Sequence, residues 1–500
     1  MPDAGRDHMG ARPPSAVAKA ARMSDDTPYE VSDVFDGLPV ALRQKLGVEP
    51  DADAEMLPPC SEEAMAFGFS ARHANDLRYL ASTGHWLLWR TTHWRVESTL
   101  RVFDFSRMIC REHSAEVMAW EKPNLKLAAT VASAKTVAAI VSLARADRRH
   151  ATEADAWNQQ HTALATSGGT IELQNSLPRI SHRSDLCTKI TSVAPKNSET
   201  PKWTEFLKKI TGNNQELESY LQRVAGYCAT GETREQVVFF LWGTGANGKG
   251  VFIKTIADVL NDYATVASMD LFLESHNEHH PTDLAHLWGA RLVYCQETDR
   301  NRRWAEAKLK AMTGGDKLTA RFMRQDFFDF VPRFKIVIAG NHKPSLRGVD
   351  EAIRRRLQLV PFTVTIPKEE RDLKLADSLK AEWPGILQWI VNGAKVWYAQ
   401  GLQPPRAVTE ASETYFAEQD RHAKWLDECC IIEKAKTAYT ATLFANWAKW
   451  CEDGDEPVGS AKAFSQKLDE CGFVRIRGPR GERMFSGLCL TDEAAGFRGP

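Results

Sequence analysis

The chain has 500 residues, of which 43% are hydrophobic and 26% charged, with a formal net charge of −1. That balance is ordinary for a globular protein of two to four domains and rules out collagen-like or wholly disordered chains. It also rules out affinity for nucleic acid through overall charge, so any such contact must come from local basic patches.

Residues 1–60 are rich in Pro, Ala, Gly, Asp and Glu and lack apolar periodicity, which predicts a largely disordered tail. No signal-peptide core is visible, and Met23 is a candidate alternative start. Asp51 and Asp53 resemble a metal-binding acid pair, but they lie in a Pro-flanked polar run and read as a solvated linker.

Residues 61–195 read as a small α+β N-terminal domain. A helix is expected over 61–80, a hairpin at Trp86–Trp89 and His93–Arg95, a helix over 125–147, and a turn into a strand at 168–173. The 127–144 stretch is weakly apolar but interrupted by Lys135, Ser and Thr, so it reads as an amphipathic or buried helix and not a membrane span. The tryptophans are candidates either for stacking on bases or, more simply, for filling a small core.

Helices are expected over 196–235, leading into a core at 236–365 in which strands and helices alternate, the pattern of a parallel sheet. The apolar run 237–242 is followed by Gly243, Thr244, Gly245, Ala246, Asn247, Gly248, Lys249 and Gly250, then by a helix-like stretch over 251–260. Strand, glycine turn with lysine, helix is the layout that cradles nucleotide phosphates on backbone N–H groups, with the lysine neutralising the β/γ charge. The position after the lysine usually carries a hydroxyl for Mg²⁺. Here it is Gly250, which leaves a water or Thr255 as substitutes.

Two further strands are expected at 291–295 and 334–339. The first runs into Gln296 and Glu297, an acid placed to organise Mg²⁺ or activate water. The second runs into Gly340 and Asn341, an amide placed to reach a γ-phosphate or the attacking water. Between them, 317–330 alternates with period two and reads as a hairpin carrying Arg321 and Arg324, either of which an ion pair with Asp326 or Asp329 would occupy. Arg354, Arg355 and Arg356 precede a strand at 357–362.

Residues 366–420 read as a helical connector with Trp383, Trp389 and Trp397 in its core. Residues 421–500 read as a separate winged-helix-like DNA-binding domain: helices over 440–450 and 460–471, then a basic hairpin with Arg475, Arg477, Arg480 and Arg483, either set to meet phosphates or a surface hairpin kept soluble by its charge. The ten cysteines are scattered, without any Cys-x-x-Cys, and read as reduced structural residues with no zinc site.

The motifs in combination resemble superfamily 3 helicases, in particular the phage and plasmid primase-helicase group that includes the poxvirus primase-helicase. They are the glycine-lysine loop, Glu297-Thr298, Thr313-Gly314-Gly315-Asp316, Gly340-Asn341-His342-Lys343-Pro344 and Asp350-Glu351-Ala352-Ile353 with its arginines. The resemblance is dense over 185–362 and looser elsewhere. It implies a P-loop NTPase (AAA+-like) core and an ATP- and Mg²⁺-dependent DNA helicase working as a ring, hexameric by expectation, in a bacterial host cytoplasm. Lys249 would be the phosphate lysine, Glu297 the Walker B acid and metal residue, Asn341 the sensor, and Arg355 an arginine finger acting on a neighbouring subunit. Arg321 and Arg324 would lie on a channel hairpin that grips single-stranded or forked DNA. No primase domain is expected, which leaves room for a separate primase or replication initiator as partner. The residues themselves also admit a DNA-binding assembly factor with weak ATPase, or a small-molecule phosphate-loop kinase.

Overall fold

The computed structural model describes residues 57–274, 281–296, 302–323, 326–346, 349–454, 456–491 and 494. The tail with Met23, Asp51 and Asp53 lies outside these, as do Glu297, Thr298 and Arg324. The chain divides into two compact units, the first ending at Ala156 and the second beginning at Trp157.

The first unit holds α1 (Glu62–His73), β1 (Leu77–Leu80), β2 (His85–Trp89), β3 (Trp94–Val96), α2 (Arg101–Met118), α3 (Leu125–Val131), α4 (Ala134–Ala144) and β4 (Ala151–Thr152), with sheet order β3-β2-β1-β4. The single helix expected over 61–80 is a helix and a strand. Ser61 caps α1 by accepting from the Ala64 N–H at 3.1 Å, while Asn75 and Asp76, which favour turns, end the helical stretch. Leu77 then pairs with Leu88 across β2. The helix expected over 125–147 is likewise two, bent by 50°. Ser133 sits at the break and caps α4 through the Thr136 N–H at 3.2 Å. No single described helix is long and apolar enough to cross a membrane, and this bent pair puts Val131, Val137, Ile140 and Val141 into the unit's core. The hairpin of β2 and β3 is as expected, and Trp86 and Trp94 are buried, so both fill a core.

The second unit opens with a small antiparallel sheet of β5 (Ala163–Thr166), β6 (Gly169–Glu172) and β7 (Leu177–Arg179). Helices α5 (Pro201–Thr211) and α6 (Gln215–Ala229) follow, then β8 (Val238–Trp242), α7 (Lys249–Leu260), β9 (Ala264–Val266), α8 (Pro281–Ala285), β10 (Leu292–Gln296) and α9 (Glu306–Gly314). The hairpin β11 (Leu318–Arg321) and β12 (Phe327–Phe330), β13 (Lys335–Gly340), α10 (Glu351–Arg354) and β14 (Leu357–Pro361) complete this part.

Five strands form one sheet in the order β14-β8-β13-β10-β9, parallel at every pairing. Its central strands are continuous apolar runs because both faces are covered. Alternate side chains go to opposite faces: Phe239, Leu241, Val337 and Val360 join one core with Trp203, Tyr220, Phe252 and Trp397. Val238, Phe240, Ile336, Ile338 and Leu359 join the other with Trp304, Leu309 and Tyr415. Leu164, Ile171 and Leu173 belong to the first of these cores, so residues 157–195, read from sequence with the N-terminal domain, pack with the sheet.

Helices α11 (Leu375–Lys380), α12 (Trp383–Gln400) and α13 (Arg406–Gln419) follow. Trp397 is fully buried, whereas Trp383 and Trp389 are half-buried against the same core. The last part runs α14 (Arg421–Cys429), β15 (Cys430–Tyr439), α15 (Thr440–Asp453), α16 (Ala461–Glu470), β16 (Val474–Arg477) and β17 (Arg483–Leu490), with sheet order β15-β17-β16. The two helices and hairpin are where the pattern placed them, and Trp425, Trp447, Phe464 and Phe485 fill the core beneath. Strand β15 went unread because it is an edge strand whose exposed middle carries Glu433, Lys434 and Lys436 and a register shift between Ile432 and Thr437.

Candidate functional site: the carboxyl edge of the parallel sheet

The glycine loop joins the end of β8 to the start of α7. Three of its glycines are required, Gly245 by its φ of +107°. Gly248 has φ +82°, and a Cβ there would lie 2.4 Å from Cγ2 of Ile210. A Cβ on Gly243 would lie 2.1 Å from the Phe362 carbonyl oxygen. Asn247 is buried and donates to that same oxygen at 2.9 Å, and the Ile366 N–H donates to the Ala246 oxygen at 2.8 Å. The loop is thus fastened to the chain leaving β14, leaving Lys249 and the first turn of α7 at its mouth.

Lys249 is 6% exposed. Its Nζ donates to the Gly243 oxygen at 2.8 Å, to Asn247 Oδ1 at 3.0 Å and to Asn341 Oδ1 at 3.1 Å. No described carboxylate neutralises it, and burial pushes its pKa down to about 8. A buried cation whose partners are neutral oxygens is poised for an anion. Asn341 reaches it because β13 lies beside β8 with Gly340 opposite Trp242, so the residue after each strand emerges at one level. Gln296 ends β10 opposite Ala339, at the same edge; Glu297 lies outside the described residues.

Thr255 does not reach this edge. It is buried, six residues beyond Lys249, about 9 Å along the helix axis. Among the described residues no group of three or more His, Cys, Asp or Glu is gathered to hold a metal ion. Glu297, the acid read from the sequence as the metal residue, lies outside them.

The three arginines before β14 have three different settings. Arg356 is buried, donating to Thr313 Oγ1 at 3.1 Å and the Ala352 oxygen at 2.8 Å. Arg354 lies over the Phe416 ring at 5.3 Å. The Arg355 guanidinium is exposed and engages no described side chain. Because Leu357 starts β14 opposite Val238, Arg355 sits at the amino edge of the sheet, a full strand (about 17 Å) from the loop. The structure therefore does not bring Arg355 to Lys249 and Asn341 within one chain.

On the β11–β12 hairpin, Arg321 lies over the Phe327 ring at 4.7 Å. Of the acids weighed as its partner, Asp329 instead accepts from Thr319 Oγ1 at 2.7 Å. Met323 and Phe327 are 72% and 57% exposed. On the C-terminal hairpin, Arg475 is engaged: its Nε donates to Asp469 Oδ1 at 2.9 Å and its guanidinium lies over Phe485. Arg477 stands directly opposite Arg483, an unfavourable like-charge pair in isolation, and Arg480 is exposed in the turn.

Sequence reading missed Gln296 and the fastening of the 341–346 loop. Lys343 lies over Trp242 at 4.4 Å, and the Leu346 N–H donates to Gln419 Oε1 at 3.1 Å. The adjacency of Lys343 to Asn341 was a usable signal; the residues that hold the loop were too distant in sequence to give one.

The fold and this edge define a mixed α/β protein with a parallel sheet, a small N-terminal α/β unit, and a glycine loop ending on a buried lysine. Residues 67–212 match the D5 N terminal like family, and residues 241–356 match a family of unknown function, DUF5906. The chain is 23% identical over 266 residues to "Putative helicase L207/L206" of Acanthamoeba polyphaga mimivirus, covering 49% of this chain. It is 25% identical over 282 residues to "Putative helicase 022R" of Frog virus 3 (isolate Goorha), covering 50% of this chain. The matched stretch spans 28% of the length of each relative. The apo C-terminal region of NrS-1 aligns at 10% identity with TM-score 0.44, over 75% of this chain and 77% of that one. The chain is thus similar at low identity to viral proteins named as helicases.

Proposed function

We propose that this chain is a P-loop, AAA+-like ATPase of the superfamily 3 kind, a DNA helicase that couples ATP hydrolysis to unwinding during phage or plasmid replication. The observation that carries the reading is the meeting of Lys249 and Asn341 at the mouth of the glycine loop, at the carboxyl edge where parallel α/β sheets bind ligands. The fit to phosphates rests on a buried lysine paired only with neutral oxygens among the described residues, on a loop whose packing against Phe362 and Ile210 admits only glycine at 243 and 248.

In this reading the loop N–H groups and Lys249 hold the β- and γ-phosphates, and the N-terminus of α7 adds favourable partial charge. Mg²⁺, when bound, supplies charge neutralisation between the phosphates. Asn341, already tied to Lys249, is placed to report on the γ-phosphate. Glu297 is assigned the carboxylate that orients water, and Arg355, remote from its own loop, is assigned to a neighbouring subunit's site in a hexameric ring. The β11–β12 hairpin with Arg321 and Arg324 would contact DNA in the channel. The C-terminal unit, with its helix, strand, two helices and hairpin, would act as a winged helix through Arg477, Arg480 and Arg483; Arg475 is committed to Asp469 and contributes less.

Gly250 favours one second reading, a DNA-binding assembly factor whose ATPase is weak. Turnover of ATP with and without single-stranded DNA decides: stimulation supports the motor, negligible turnover the assembly factor, and turnover indifferent to DNA a phosphate-loop kinase.

A further inference from the structure

We infer that Gln296 supplies, from the end of β10, the oxygen that the loop lacks at position 250, and so serves as a ligand of the magnesium ion accompanying a bound nucleoside triphosphate. This rests on the reading of the 243–249 loop as a phosphate site. Gly250 is the second residue of α7, and its φ lies outside the left-handed region, so its backbone does not demand glycine. Crowding does not demand it either. A Cβ at this position would have as its nearest neighbour Oε1 of Gln296 at 3.6 Å, with Nε2 at 3.9 Å, an ordinary contact distance. The direction in which residue 250 would project its side chain is therefore the direction from which the Gln296 carboxamide arrives. A hydroxyl one bond beyond that Cβ would fall in the space the carboxamide reaches.

Register holds Gln296 there. It is opposite Ala339 on β13, and Ala339 is opposite Leu241 on β8, so the carboxamide stands two residues below the start of the loop. The exchange is chemically conservative. Hydroxyl and carboxamide oxygens are both neutral, hard ligands of the kind Mg²⁺ accepts, so the charge around the phosphates is unchanged. The pair accounts for a phosphate loop without its hydroxyl in a chain whose described residues offer no acidic or histidine cluster for a metal.

The test is binding of a fluorescent ATP analogue across a Mg²⁺ titration, in the full chain. Gln296→Ala should raise the Mg²⁺ concentration at half-effect by about 10- to 100-fold, the range for lost groups in a metal's immediate surroundings, while metal-free binding stays the same. Gly250→Ser combined with Gln296→Ala should bring the midpoint back toward wild type, an outcome a space-filling glutamine would not give. An unchanged midpoint in Gln296→Ala, or a double variant no better than the single one, overturns the assignment. Lys249→Ala separates the two layers. If it binds the analogue as tightly as wild type, the phosphate-site reading falls and this one with it; if it does not bind, an unchanged Gln296→Ala midpoint sinks this inference alone.

Discussion

Lys249 Nζ donates to Asn341 Oδ1 across 3.1 Å, joining the first residue of α7 to the residue that follows β13, 92 positions later in the chain. The bond exists because β13 is inserted between β8 and β10, which sets the end of the strand before the glycine loop beside the end of the strand before Asn341. Lys249 Nζ makes three hydrogen bonds with its three protons, so a ligand that recruits it displaces at least one, and loss of the bond to Asn341 would free that amide to turn to the same ligand.

Lys249→Ala should therefore lower ATP turnover by at least about 100-fold, the scale for losing one positioned donor to a developing charge. The fold should survive, because the lost hydrogen bonds are offset by removing a desolvated cation. Asn341→Ala should bind ATP with little loss yet hydrolyse it slowly. Wild-type turnover in purified Lys249→Ala protein, with an unchanged melting profile, would remove the site assignment.

The depressed pKa of Lys249 has a second consequence. Its folded value, about 8, is below the usual lysine value of 10.5, so the unfolded chain holds the extra proton between those limits. Stability from this group is flat below pH 8 and rises with pH through that window. Lys335, buried against the Tyr227 ring and carbonyl oxygens with its pKa pushed down to about 7, adds a rise of the same sign from about pH 7. Phosphate binding acts on Lys249 alone by restoring its charge. Calorimetry of ATP-analogue binding at pH 9, in two buffers of different ionisation enthalpy, should show uptake approaching one proton, absent in Lys249→Ala. No uptake by wild type would mean that the phosphates do not meet this amine.

Arg355 stands at the opposite edge of the sheet from the loop, which bears on assembly. Lys249→Ala and Arg355→Ala proteins should each be inactive, and mixing them should restore part of the turnover through interfaces that pair an intact lysine with an intact arginine. Complete lack of complementation, in subunits shown by labelling to exchange, would argue against a role in trans.

Much of this edge was legible from sequence because buried parallel strands are short apolar runs, as at 237–242, 291–295, 334–339 and 357–362, and the glycine loop, Gln296 and Asn341 follow three of them within two residues. The β11–β12 hairpin and the two C-terminal helices followed from periodicity in the same way. Other features depended on partners distant in the chain. Helix and strand competed over 61–80 until Leu77 met Leu88, and one serine divided the 125–147 helix. Strand β15 carries its large apolar residues only at its ends. Of the arginines, composition could not tell the buried Arg356, bound to Thr313, or Arg475, held by Asp469, from the exposed Arg355. Gln296 meets position 250 only through two strand registers, which no local pattern reports.

How DNA is held gives the last prediction. The chain is nearly neutral, with a net charge of −1, so in the proposed reading its affinity for DNA would come from a few placed arginines. Two hairpins offer them in different settings. On β11–β12, Arg321 is stacked on Phe327 at the tip of an element that grows from α9 and returns into β13, the strand that carries Asn341. A change at Asn341 would reach that hairpin along the whole length of β13. On the C-terminal hairpin, Arg477 and Arg483 face each other, and their repulsion is relieved when an anion sits between them. Arg324→Ala should then spare basal ATPase and abolish unwinding, since the stroke would no longer be transmitted. Arg477→Ala with Arg480→Ala should leave unwinding at saturating DNA largely intact but weaken binding, lowering the slope of log affinity against log salt by about one unit for each phosphate no longer neutralised. Arg475→Ala should change that slope least, because its guanidinium is already occupied by Asp469. Measured slopes and unwinding rates that reverse this assignment, with the C-terminal variants uncoupled and the β11–β12 variant merely a weaker binder, would exchange the roles of the two hairpins.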